Sequence, residues 1–258
     1  AHPVHPCRRC AHCRAGLEHL CRDMGHFGIN LQGVFAGHFL VRADRARPSG
    51  DLPMAVAALA EPVCVCLEAL AQARLEPGSR LLILGDGPFG ALMATLARDL
   101  CLARVVVAGH PDWRLAFAIG AATVNTRSVP DPVAALRELG GELGYDAAIL
   151  AVGSVVAAQW GLSLLRPRGR LVVFSALPGL TPTDLLSLHV RELEIVGACN
   201  DDDRLDQAMD ALRERQAELG RLVTHRLPLE RYAEAFELAE HGREEAMKVA
   251  FTFEGSAA

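Results

Sequence analysis

Arg80–His110 reads RLLILGDGPFGALMATLARDLCLARVVVAGH. Leu81, Leu82, Ile83 and Leu84 form an apolar run of the length that a fully buried parallel strand needs. Gly85, Gly87 and Gly90 follow in the spacing G-x-G-x-x-G, enclosing Asp86, Pro88 and Phe89, with Pro88 placed for a first helical position. Leu92, Leu96 and Leu100 then recur at helical spacing before a second apolar run, Val105 to Ala108. Strand, glycine turn, helix and strand make a βαβ unit. Gly85 allows a tight turn, Gly87 lets a pyrophosphate approach bare backbone, and Gly90 lets the helix pack closely. An anion there would meet unpaired N–H groups and the positive end of the helix dipole. A glycine turn that is merely tight is the bland alternative.

The alternation continues beyond this unit. Asp112 to Ile119 reads as a helix, Ala122 to Asn125 as a strand, Pro132 to Leu139 as a helix and Tyr145 to Val152 as a strand. Ser154 to Leu165 is a further helix, and Arg170 to Ser175 and Leu193 to Gly197 are further strands. Short connections between them predict an α/β fold with a doubly wound parallel sheet. NAD-binding sheets place an acid about 20 positions beyond the glycines, to accept from the ribose hydroxyls. That position falls on Gly109, with His110, Asp112 and Arg114 close behind. Lacking that carboxylate, the sequence leans to NADP, with His110 or Arg114 on the 2′-phosphate. The counter-readings are Arg114 on the ribose of either nucleotide, Asp112 as a substitute acid, and His110 as plain loop surface.

Composition narrows the classes. With 258 residues, 51% of them apolar, the chain can bury a substantial core and is not a disordered protein. A net charge of −5 argues against a nucleic-acid surface. No apolar run approaches the roughly 18 residues of a membrane span, so no membrane partner is expected. His2, Pro3, His5 and Pro6 interrupt any leader-like apolar segment. The eight cysteines are clustered rather than spread as a disulfide framework, which predicts a reducing, cytoplasmic setting. Ala1-His2-Pro3-Val4 reads as the end of a strand already under way, so a fragment is expected.

Cys7, Cys10, Cys13 and Cys21 form C-x2-C-x2-C-x7-C. Four thiolates at this spacing suit a tetrahedral, structural Zn²⁺ with no open position. His2, His5, His12 and His19 are then expected at the solvated surface, and Arg8, Arg9 and Arg14 do not outweigh the acidic balance. Phe27 to Ile29, Gly33 to Gly37 and Phe39 to Val41 read as short strands, and Arg42 to Asp51 as a loop. From Pro53 the pattern is helical, with Pro62 starting a new helix or kinking this one. Glu61 is the one carboxylate between Ala55 and Leu67 and needs a metal, a cation or a cap. Cys64, Cys66 and Cys199 read as buried residues, and Asp201-Asp202-Asp203 as a cap for a helix from Leu205 to Leu219. A helix from Tyr232 to Glu240 and a strand from Lys248 to Phe253 complete the chain.

The four-cysteine lobe, Gly33-Val34-Phe35-Ala36, Glu61-Pro62 and the turn Gly85 to Gly90 together resemble the zinc-containing medium-chain alcohol dehydrogenases. The sorbitol and threonine dehydrogenase branch is the nearest in pattern, because it carries Glu-Pro where classical alcohol dehydrogenases carry a cysteine ligand. Arg166 to Val172, Thr224 to Leu229 and Ala233 to Phe236 resemble later family segments. The resemblance implies a GroES-like catalytic domain, here its carboxy-terminal part over residues 1–61, and a Rossmann domain over 62–192. Residues 193–258 would be the last edge strand and the return to the catalytic domain. It further implies hydride transfer between a secondary alcohol and nicotinamide, a polyol, cyclitol or amino-alcohol being the substrate class. Glu61 would be a catalytic zinc ligand or a partner of its water. Ala151, Val152, Ser175 and Leu177 would lie beside the nicotinamide, and the strand at Leu193 to Gly197 would pair in a homodimer or homotetramer. The family's remaining zinc ligands lie upstream of the cysteine lobe, so the expectation is an absent upstream part. A nucleotide-binding remnant with structural zinc alone is the competing reading.

Overall fold

The computed structural model describes residues 1–177, 179, 181–242 and 245–253, and the chain separates into two units. One unit is Ala1–Glu68 with the segment from Cys199 onward, and the other is Ala69–Ala198. The sequence placed these bounds earlier, at 61/62 and 192/193.

In the first unit β1 (Val4–His5) pairs antiparallel with β2 (Gly25–His26), bracketing the cysteine loop. The strands expected over Gly33 to Gly37 and Phe39 to Val41 do not form, and Phe27 to Ile29 contributes one bridge, Phe27 to Leu31. Among the described residues no strand lies beside Gly33 to Val41, and an unpaired strand leaves its backbone groups to water. Leu40 is accordingly 94% exposed. Helix Ala60–Gln72 begins two residues before Pro62, so the proline sits in the first turn, where its missing N–H costs no bond. Cys64 and Cys66 are fully buried on it, as expected of small core side chains.

The second unit is built on a parallel sheet of β3 (Arg80–Leu84), β4 (Arg104–Gly109), β5 (Ala122–Asn125), β6 (Tyr145–Leu150), β7 (Leu165–Val173) and β8 (Glu194–Gly197). Their spatial order is β5-β4-β3-β6-β7-β8. Leu81, Leu82, Ile83 and Leu84 are at most 1% exposed, because helices cover both faces of such a sheet. Helices Pro88–Leu96, Pro132–Gly140 and Val155–Leu164 make the crossovers, the last two capped by Asp131 and Ser154 side chains. The helix expected over Asp112 to Ile119 stops at Leu115. Tyr145 is buried in the sheet's lower end and donates its hydroxyl to the Leu136 carbonyl at 2.7 Å. Chain order reverses between β3 and β6, and ligands bind outside the carboxyl ends at such a switch point.

The first unit resumes with helix Leu205–Glu214, then β9 (Val223–Pro228), helix Tyr232–His241 and β10 (Lys248–Thr252), which pairs parallel with β9. Two expectations fail here. Cys199 is exposed rather than buried, because the chain has already left the sheet at Gly197. His2 is 2% exposed rather than solvated: its Nε2 meets Asp201 Oδ1 at 2.6 Å. The same carboxylate accepts the Arg204 N–H at 2.9 Å, so Asp201 serves the helix start from just outside it. Burial alone would raise the Asp201 pKa, but the bonds from His2 and Arg204 outweigh it and hold the group below its usual value.

Asp201→Ala leaves the buried His2 ring and the part-buried Arg204 N–H without their acceptor and is expected to cost about 1–3 kcal/mol in urea unfolding at neutral pH. A depressed carboxyl contributes stability that is complete above its unfolded pKa and is lost as pH falls through the folded one. The gap between wild type and variant should therefore be full above pH ~4 and close below it.

Candidate functional site

The turn after β3 is shaped by close approach. Gly85 has φ +129°, and a β-carbon there would lie 2.7 Å from the Ala151 carbonyl oxygen. A β-carbon on Gly90 would lie 2.0 Å from the Gly85 carbonyl oxygen, so only glycine lets the helix start this near the strand. Around Gly87 nothing lies within 4 Å of a β-carbon's position, which leaves its backbone open. Gly87 is the N-cap of helix Pro88–Leu96, Pro88 is its first residue, and no side chain caps it. Bare first-turn N–H groups and the helix dipole are what a phosphate pair needs.

The candidates from the other strand ends gather around this turn. The Ala151 N–H donates to Leu84 O at 2.8 Å, fixing the end of β6 against β3, and Val152 is 38% exposed just beyond. The Ser175 N–H donates to Leu150 O at 2.9 Å, Leu177 packs on the core, and Phe174 meets Phe89 edge-on with ring centres 5.1 Å apart. A cavity of about 160 Å³ opens between the ends of β3, β4 and β5, lined by Asp86, Gly109, His110, Thr126, Val156 and Trp160. The last three were not singled out from sequence, since they are an ordinary hydroxyl, valine and tryptophan until the folded sheet brings them together. Thr126 meets His110 Nδ1 at 3.1 Å. Asp112 accepts from Asn125 at 2.7 Å, which ties down β5.

Asp86 is the unexpected member of this group. Its side chain lies over Gly109, and Oδ2 is buried with no partner. Burial raises its pKa, while the nearby backbone of Asp86 and His110 and the Arg114 charge pull the other way. Arg114 Nε is also buried and unpartnered, its guanidinium 5.1 Å from the Trp113 ring centre.

The four cysteines converge as their spacing predicts: all four Sγ atoms lie within 4.8 Å of one another, and all are free thiols. Backbone N–H groups of Cys13 and Arg22 pull Cys10 down to about 6, whereas burial pushes Cys13 up to about 12. Crowded thiolates repel, and a soft dication at their centre relieves that repulsion, so the donor set fits zinc.

Glu61 stands in the first turn of its helix, half-buried, without a hydrogen-bond partner among the described residues. Burial raises its pKa, opposed by Lys248 and His2 and reinforced by Asp201. Among the described residues the cysteine knot is the one cluster of three or more metal-binding groups, and Glu61 is not in it. By themselves these residues do not fit a second, catalytic zinc.

A family model described as zinc-binding dehydrogenase matches residues 88–214. The chain is 30% identical over 233 residues to D-altritol 5-dehydrogenase of Agrobacterium fabrum, covering 88% of this chain and 68% of that one. It is 29% identical to L-threonine 3-dehydrogenase of Anaeromyxobacter dehalogenans, covering 92% and 70% respectively. Among solved structures, an alcohol dehydrogenase from Thermus sp. ATN1 superposes with a TM-score of 0.87 at 27% identity, covering 96% of this chain and 75% of that one. A Sinorhizobium meliloti 1021 protein with NADP bound gives a TM-score of 0.83 at 26% identity, covering 90% and 70%.

The two glycines separate packing from binding. Gly90→Ala drives a methyl into a backbone carbonyl and is expected to lose about 1–3 kcal/mol in thermal or urea unfolding. Gly87→Ala meets no atom and should stay within about 0.5 kcal/mol of wild type.

Proposed function

The chain belongs to the zinc-binding dehydrogenase family, and we propose that it binds NAD(P) at the β3 turn and moves hydride between a secondary alcohol and nicotinamide. The observation that carries this is the open backbone at Gly87, at the switch point of the sheet, with the helix start beside it uncapped. Bound there, the nicotinamide supplies the hydride acceptor or donor. The chain's own part is to hold the diphosphate on the turn's amides and to wall the ring with Ala151, Val152, Ser175 and Leu177. Threonine oxidised at position 3 and altritol at position 5 are the reactions two relatives are named for, which supports an amino-alcohol, polyol or cyclitol and its ketone as substrates.

Cys7, Cys10, Cys13 and Cys21 would hold a structural Zn²⁺, since four thiolates leave no position for substrate. Glu61 is the remaining metal-directed candidate, and its isolation favours a second reading, a nucleotide-binding chain with structural zinc alone. No helix among the described residues is long and apolar enough to cross a membrane. All eight cysteines are free thiols, which supports a reducing, cytoplasmic setting. The exposed edge β8, with Ile195 41% exposed and Leu185, Leu186 and Val190 each about 70% exposed nearby, is the surface on which a second copy would pair to make a dimer or tetramer.

Four measurements test these assignments. Metal analysis should find one zinc per chain that Cys13→Ser abolishes and Glu61→Gln leaves in place. NAD(P)-linked turnover of a secondary alcohol supports the enzyme, whereas nucleotide binding with that single zinc and no turnover supports the second reading. Gly87→Ala should weaken nucleotide binding about tenfold or more with the melting temperature unchanged. Light scattering should give a dimer or larger, and Ile195→Lys should shift it toward monomer.

A further inference from the structure

We propose that Asp86, on the glycine turn, is the nucleotide-selecting carboxylate of this chain, and that it makes the site prefer NAD(H) over NADP(H). The proposal rests on the dinucleotide reading above and sharpens it. Nucleotide sheets commonly select through an acid at the end of the second strand. That position is Gly109 here, yet the space over it is filled. A β-carbon on Gly109 would lie 2.4 Å from Asp86 Cβ, 2.5 Å from its Cγ and 3.0 Å from its Oδ1. The two positions therefore share one volume, and only one of them can carry a side chain. The carboxylate has moved from the strand end to the turn, and the glycine at the strand end is what admits it.

Asp86 is held there as an acceptor with spare capacity. Its Oδ2 is buried without a partner at the cavity that Gly109, Thr126 and Trp160 help to line. A ribose diol offers two O–H donors to such an oxygen. A 2′-phosphate offers none when doubly ionised and brings a charge of roughly −1.5 to −2 against a carboxylate. Arg114 is the cation that would welcome that phosphate, but it stands near enough for its charge to act on Asp86, so a phosphate brought to it also meets that carboxylate. Its guanidinium also lies against Trp113. His110 Nδ1 is engaged by Thr126.

Titrating the wild-type chain with NADH and with NADPH, read by nicotinamide fluorescence, should show NADH tighter by about tenfold or more. Asp86→Asn keeps the shape and removes the charge, and should bring the two affinities within about threefold of each other. Asp86→Gly with Gly109→Asp clears the β-carbon opposite the strand end, returns an acid there and should restore the preference for NADH, which also shows that the loss in Asp86→Asn is not misfolding. NADPH binding as tightly as NADH to wild type, or an unchanged ratio in Asp86→Asn, overturns the assignment while leaving the dinucleotide site standing. Binding of neither nucleotide overturns both.

Discussion

The second unit depends on one close approach: a helix that starts almost on top of the strand feeding it. With the Gly90 β-carbon position 2.0 Å from the Gly85 carbonyl, the chain has no room for a side chain at either corner of the turn. That crowding brings the end of helix Pro88–Leu96 to the rim of the sheet, and the N-cap glycine supplies no side chain to satisfy its amides. The proposed anion site would thus be a by-product of packing. Hydrogen-bond donors that the fold leaves unpaired at its surface are donors a diphosphate can take.

The first unit solves a different problem. Its strands β1 and β2 are two residues each, and a ladder that short contributes little. Around them, order comes from polar closure: four thiols converging within 4.8 Å, and the buried His2–Asp201 bond linking positions 199 apart in sequence. Groups this close are costly until each has its partner, a proton, a donor or a metal, so they define a geometry that weak apolar burial alone would not.

Legibility followed the range of the interactions. The strands Leu81–Leu84 and Ala122–Asn125 could be read because a run of apolar residues is a local fact, and β5 begins and ends where the pattern placed it. The cysteine knot could be read because its spacing is itself the geometry of a metal site. Gly33 to Val41 misled for the same reason: its pattern is that of strands, but a strand is a pairing, and no neighbour stands beside it among the described residues. His2 and Cys199 misled because a side chain's exposure is set by what the rest of the chain brings to it.

At the glycine turn, sequence alone determined the glycines, the helix start and the lack of an acid at Gly109, all of which lie within one βαβ unit and obey its fixed spacing. It did not determine that another acid stands in the vacated place. Asp86 and Gly109 belong to different strand ends, and Asp86 reads as unremarkable by itself. Only the lateral pairing of β3 with β4, residue against residue from Arg80 and Arg104 to Leu84 and Ala108, puts the carboxylate over the glycine. Spacing along a chain fixes what neighbours in sequence can do, whereas which side chain fills a given volume is settled by the register of strands brought together through space.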